Sequence, residues 1–245
     1  MDLKKSKFSL TLVLILVLSM IVTACGSNDE SSDNNSGSSE VAQELRVLES
    51  AEIPSMDSIM AEDAVSFTML NNVNEGLYRQ DQENNLVPGV AEGEPEVNEE
   101  GTEFTVKLKE DLTWSNGTAL TAADFVYAWQ RAIDPENASP YGSYMMDGKI
   151  VGAQEITEAA AAAQDYDVTT LGVEAVDETT LVVKTVKPMT VDFFKGLMAF
   201  GTFYPQNQEF VEAQGDKYAT SAETVLYNAP CVLSDWTGST DSEWV

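Results

Sequence analysis

Apolar residues recur at Phe67, Met69, Leu70, Val73 and Leu77, a helical spacing that predicts a helix over Phe67 to Tyr78, with Asp63 to Ser66 available as caps. Leu45-Arg46-Val47-Leu48 alternates and predicts a short strand. Phe104, Val106 and Leu108 share one face of a second strand, Glu103 to Leu108. Between them, Asp81 to Asn85 reads as a polar turn, and Pro88-Gly89 and Pro95 as irregular chain. Asn116-Gly117 is a strong turn signal. Thr121 to Asp124 has capping-box spacing, with Asp as a weaker stand-in for Glu. The helix that follows puts Phe125, Trp129 and Ile133 near one face and stops at Asp134-Pro135. Thr157 to Gln164 predicts another helix around five successive alanines, Ala159 to Ala163. Val173 to Val176 and Thr180 to Val186 read as a hairpin around Asp177-Glu178, and Pro188 to Phe200 as a further helix. Strands and helices intermingle, so the expected class is α/β in the mixed α+β sense, and no internal repeat is visible.

One stretch stands apart from this body. Lys4, Lys5 and Lys7 precede an uncharged, nearly unbroken apolar run from Phe8 to Val22, and small residues lead to Cys25 in Val22-Thr23-Ala24-Cys25-Gly26. A basic start, an apolar middle and small residues before a cleavage point make a secretory signal over residues 1–24. The cysteine directly after it resembles the lipobox of bacterial lipoproteins, in which the thiol is acylated and the chain is cut just before it. That resemblance implies lipidation at Cys25. The alternative is a plain anchor helix, and the 17 residues Phe8 to Ala24 sit at the short limit for spanning. Either reading places the body outside the cytoplasm and holds it to the cell membrane. Residues 25–40 then form a disordered tether: Gly26 to Glu40 carries six Ser among Asn, Asp, Gly and Glu and no apolar side chain. As a flexible coil it spans about 20 Å.

Charge and composition narrow the chemistry. The 245 residues carry 41 acidic and 13 basic groups, a formal charge of −28, and removal of residues 1–24 would leave 40 against 10. That surface is soluble and argues against nucleic acid, whose phosphates need a basic face. Histidine is absent, which removes the commonest general base and the commonest metal ligand. Two cysteines cannot build a four-cysteine zinc site. No cofactor, no metal and no catalytic residue is expected.

Several stretches, in order, carry a family resemblance. They are Asn74-Glu75-Gly76-Leu77-Tyr78, Leu86-Val87-Pro88-Gly89-Val90-Ala91-Glu92, Leu112-Thr113-Trp114-Ser115-Asn116-Gly117 and Leu120-Thr121-Ala122-Ala123-Asp124-Phe125-Val126-Tyr127-Ala128-Trp129. Asp134-Pro135, Ala138-Ser139-Pro140-Tyr141, Leu171-Gly172-Val173 and Tyr227-Asn228-Ala229-Pro230-Cys231-Val232-Leu233 follow. Together, from about Leu45 to Trp236, the sequence resembles the extracytoplasmic solute-binding proteins of peptide ABC importers, family 5, and the oligopeptide-binding lipoproteins fit best.

The resemblance implies a periplasmic-binding-protein-like body of two lobes that closes on a peptide. On this chain it implies an incomplete first domain from residues 41–74 and 206–245, with a mixed α/β domain inserted at 75–205. Relatives of this kind continue for about as long again past the position of Trp236, so only the N-terminal lobe is expected here. The implied partners are peptides, a membrane permease and its ATPase subunits. Carried over residue by residue, the implied ligand contacts are Glu62, Asp63 and Ala64, and Tyr141. Glu62 and Asp63 equally suit charge at a helix start near Val65, and Tyr141 equally suits loop packing. Trp114 and Trp129 are expected in the core, and Asp124 at a cap or facing solvent. Ala229 and Cys231 depart from the family pattern, and Cys231 reads as a small buried filler.

Three rival readings remain. An anchored hydrolase would need a defined carboxylate pair, and no motif isolates one among the 41 acidic residues. A receptor of the same fold could take a pheromone or another solute, with nickel disfavoured because imidazole is absent. The chain could also be a truncated fragment with no transport role.

Overall fold

The computed structural model describes residues 49–236. The signal segment 1–24, Cys25, the tether 25–40, the strand Leu45 to Leu48 and the residues past Trp236 lie outside these described residues.

Helix α1 is Ala64–Val73, and Asp63 is its N-cap: the carboxylate accepts the Ser66 backbone N–H at 2.9 Å. Val65, Leu70 and Val73 supply its buried face. It ends one turn before the expected Tyr78. The reason lies in Asn74, which takes extended backbone while its side-chain amide donates to the Leu226 carbonyl and to Asn228 Oδ1. Tyr78 begins strand β1, Tyr78–Gln80, paired antiparallel with β2, Leu86–Pro88. The expected turn between them forms around the Asp81 carboxylate, which accepts the N–H groups of Glu83 and Asn85. Pro88 closes β2 in a two-stranded ribbon, where its missing N–H costs no central ladder bond.

Four strands form the main sheet: β3 Glu96–Val97, β4 Glu103–Lys107, β5 Val173–Asp177 and β6 Thr180–Lys184. Their order is β3-β4-β6-β5, antiparallel throughout. The β4–β6 register sets Phe104 opposite Val183 and Val106 opposite Leu181, and all four are fully buried. Alternation therefore puts one face of the sheet into the core, as the pattern at Phe104, Val106 and Leu108 predicts.

Helices cover that face. Helix α2, Ala122–Ile133, starts at a capping box in which the Asp124 carboxylate accepts the Thr121 N–H at 2.8 Å. Asp124 is buried rather than solvent-facing, and also lies within reach of the Trp114 and Asn207 side-chain N–H groups. Burial pushes its carboxyl up from the ordinary value, against the pull of those bonds. Trp114 and Trp129 are both buried, and Trp129 donates its indole N–H to the Phe203 carbonyl at 3.0 Å. Helix α3 is Gly142–Met146 and helix α4 is Ala153–Ala161. Helix α4 starts ahead of the expected Thr157, because Gly152 makes the preceding turn with φ 82. A Cβ there would lie 2.3 Å from the Thr170 carbonyl oxygen. The alanine run then ends the helix instead of extending it. Ala163 turns left-handed, with its N–H on Ala160 and the Gln164 N–H on Ala159, the pattern usually built on glycine. Helix α5, Val191–Met198, stacks Phe194 on Phe104 at a centroid distance of 4.1 Å, and α6, Gln208–Gln214, is capped by Asn207.

The buried side chains fall into two clusters. The larger surrounds the sheet, with Phe104, Phe125, Trp129, Leu181, Phe194 and Phe203 among its members. The smaller gathers Ile53, Met56, Val65, Leu70, Tyr204, Val225, Tyr227 and Trp236 around α1. No helix among the described residues is long and apolar enough to cross a membrane. Cys231 is exposed, which corrects the expected buried filler: it follows Pro230 in a stretch without regular structure.

Candidate functional site

The segment leading into α1 and the loop leading into α3 meet on one face of the protein. The Ser139 hydroxyl donates to the Ile59 carbonyl and accepts the Gly142 N–H at 3.1 Å. Gly142 lets the same loop lie against α2, since a Cβ there would lie 1.8 Å from the Ala132 carbonyl oxygen. Glu62 and Ala64 are exposed beside this junction. Asp63 is half-buried, and its carboxylate is committed to the start of α1. Burial works to raise that carboxyl, but the hydrogen bonds from Ser66 and Val65 outweigh it and hold the group below its ordinary value.

Tyr141 stands at the start of α3, half-buried, in an aromatic cluster. Its ring lies 5.2 Å from Phe200, 6.1 Å from Phe67 and 6.3 Å from Tyr144, and Phe67 and Phe200 are 5.0 Å apart. Tyr144 is 73% exposed, the most open large apolar side chain among the described residues. Its ring also faces the Lys149 ammonium at 5.8 Å. The result is a platform of flat, stiff surfaces with one open edge, set one helical turn from Asp63.

Phe200 also borders a groove of about 650 Å³ on the far side, lined by Asn71, Asn74, Glu75 and Tyr204. There the Tyr204 hydroxyl donates to Asn71 Oδ1, and burial, with the Glu75 charge, pushes its pKa up to about 12. Glu75 pairs with Arg79 at 2.9 Å. Asn228 holds Glu75 through both backbone groups, accepting its N–H and donating to its carbonyl, each at 2.9 Å. Most of these groups are spent on one another; Asn74 Oδ1 is buried without a hydrogen-bond partner.

Of the four residues singled out in the sequence, Glu62 and Ala64 are exposed, Tyr141 is half-buried, and the Asp63 side chain is occupied; the link between α1 and Tyr141 that the structure shows runs through Phe67. Phe67 and Phe200, which pattern reading assigns to helices, and Tyr144, which it assigns to nothing, complete the platform. The three-residue step from Tyr141 to Tyr144 was the available signal. Among the described residues no group of three or more acidic or cysteine side chains is placed to hold a metal ion.

Comparison with known proteins adds what geometry alone does not. The family model for bacterial extracellular solute-binding proteins, family 5 Middle, matches residues 85–244. A dipeptide-binding protein of Lactococcus lactis subsp. cremoris is 32% identical over 239 residues, covering 96% of this chain and 40% of its own length. The periplasmic oligopeptide-binding protein OppA of Escherichia coli is 36% identical over 186 residues, covering 76% of this chain and 32% of its own. The structure of Listeria monocytogenes OppA bound to peptide superposes with a TM-score of 0.72 at 42% identity, over 78% of this chain and 36% of that one. This chain thus spans about a third to two fifths of the length of the relatives it matches. Their names describe binding proteins, not enzymes.

Proposed function

The chain belongs to the bacterial extracellular solute-binding proteins of family 5, and from that premise we propose that it captures extended peptides for an ABC importer, noncovalently and outside the cytoplasm. The observation that carries this reading is the aromatic platform at Tyr141, open at Tyr144 and joined through Phe67 to the first turns of α1. An extended peptide offers unpaired N–H and C=O groups at every residue, and a cleft that meets them with its own backbone, as an added strand, binds without reading side chains closely, while flat rings add apolar contact. Closing a second lobe over the peptide would remove water and strengthen each polar contact. The loaded protein would then dock on the permease, whose ATPase subunits drive uptake.

The domain organisation that goes with this reading is an inserted α/β domain at 75–205 on an incomplete first domain, 41–74 with 206–245. It is supported by the membership of the two clusters. The smaller draws on Ile53 to Val73 and Tyr204 to Trp236, and the larger mostly on residues between Leu77 and Phe203. The lipid anchor at Cys25 belongs to the same reading and rests on the sequence that precedes it.

Calorimetric titration of the full chain with alanine peptides of two to five residues tests the binding. Uptake of heat-saturable peptide is expected, with Tyr141→Ala weakening it about tenfold, equivalent to about 1.4 kcal/mol. No saturable binding at any length would overturn the reading for this chain. Labelled palmitate should enter the wild-type protein in a bacterial host and be absent from Cys25→Ser; equal labelling of both would remove the anchor.

A further inference from the structure

Glu62, Asp63 and Ala64 follow a stretch with no regular structure, yet the turn before them is held at many points. Asp57 is 6% exposed, and its carboxylate accepts the Ile59 N–H at 3.2 Å. Its carbonyl accepts the N–H groups of Met60 and Ala61 at 3.0 and 2.9 Å. From α2, the Arg131 guanidinium reaches both carboxylate oxygens of Asp57, at 3.0 and 2.8 Å, and Gln206 Oε1 at 3.0 Å. The Gln206 amide completes the ring, donating to Asp57 Oδ1 at 2.8 Å and to the Ser58 hydroxyl at 2.9 Å. The Tyr218 ring lies 5.4 Å from the guanidinium carbon. On the other side of the turn, Ser139 ties Ile59 to the loop that carries Tyr141.

A mostly buried ion pair is a poor device for stability alone, because desolvation offsets much of its attraction. What the pair provides here is placement: one guanidinium nitrogen, Nη1, meets acceptors from two chain segments, Asp57 and Gln206, at the end of a side chain anchored on α2 and faced by the Tyr218 ring. We infer that Arg131 is a positioning residue. Through Asp57 and Gln206 it holds the Asp57–Ala61 turn so that Glu62 and Ala64 stand at a fixed place beside the Tyr141 platform. The inference rests on the reading of that face as the peptide contact, and it deepens that reading by naming what keeps the contact segment in place before ligand arrives.

The test uses the full 245-residue chain and two readouts. Amide hydrogen exchange reports the turn, and titration with tetra-alanine reports binding. Arg131→Lys keeps the charge and moves it: the ammonium ends one bond short of Nη1 and lacks the planar group that lies over the Tyr218 ring. It is expected to speed exchange at Ile59, Met60 and Ala61 at least tenfold while the amides of β4 and β6 keep their protection, and to weaken tetra-alanine binding about tenfold. Asp124→Asn, at the buried carboxylate in the first turn of α2, serves as the comparison. It should leave both the turn and the affinity unchanged even where it lowers the melting temperature. Wild-type exchange at the turn in Arg131→Lys would overturn the inference, and so would an opened turn with unchanged affinity. Should wild-type protein not bind tetra-alanine, the peptide reading fails, and the exchange at the turn by itself decides whether Arg131 positions it. If Arg131→Lys does not fold, Gln206→Ala, which removes one of the two acceptors that Arg131 holds, is judged by the same two readouts.

Discussion

Around the four-stranded sheet, buried side chains meet across paired strands and packed helices; around α1 they meet across irregular chain joined by polar side chains. The sheet cluster contains the fully buried rings of Phe104, Phe125, Trp129, Phe194 and Phe203. The α1 cluster is smaller and leans on side-chain hydrogen bonds at its borders: Asn74 and Asn228 at one crossing point, Asp57, Arg131 and Gln206 at another. Apolar packing is spread over many atoms, so its loss scales with volume removed. A polar junction concentrates its effect in a few atoms whose partners stay buried when one is removed. The two regions therefore differ in how they should fail.

Trp129→Ala has the largest expected effect. The ring is fully buried and its N–H holds Phe203, so the change should cost roughly 3–5 kcal/mol and lower both regions in one urea transition. Asn228→Ala comes next. It removes both bonds to the Glu75 backbone and the contact with Asn74, at about 1–3 kcal/mol. Limited proteolysis should then cut first in the chain flanking α1 while the sheet region resists. A cost for Asn228→Ala as large as that for Trp129→Ala would break the distinction between the regions.

Asp63→Ala should have the smallest effect, about 1 kcal/mol for a lost N-cap, and it sharpens the comparison through pH. The folded carboxyl lies below its ordinary value of 3.8, so its contribution is fully present above that value and is lost as pH falls through the lower, folded value. The melting temperatures of wild type and variant should separate at neutral pH and converge under acid. Asp124 has the opposite sign: its folded carboxyl is raised, so that group favours the folded state more as pH falls through the raised value. A difference that stays constant down to the lowest accessible pH would assign the Asp63 effect to something other than its charge.

Much of the sheet region can be read from residues alone, because its signals are local. Alternation at Phe104 and Val106, the Asn116-Gly117 turn, the Thr121–Asp124 box and the Asp177-Glu178 hairpin each act within a few positions. The α1 region is less legible because its determinants are distant. Helical spacing carries on to Leu77, yet the helix stops at Val73 because Asn74 bonds to residues 152 and 154 positions away. The platform hides for the same reason. Phe67 and Phe200 look like ordinary helix-face residues until tertiary packing sets them against Tyr141. The network at Arg131 joins three segments that no sequence window contains together.

The β4–β6 ladder carries a consequence for biogenesis. Lys107 and Thr180 face each other across a separation of 73 residues, whereas β5 and β6 are neighbours in the chain. The hairpin can zip as soon as it emerges, but β4 has to wait, one edge bare, until the later strand is delivered. Closing so long a loop is an entropic toll settled late, and lengthening it further adds only logarithmically. A chain made start-first therefore keeps a sticky ribbon in waiting until its later strands arrive, and its yield should respond to whatever shields that ribbon more than to the strength of the finished core.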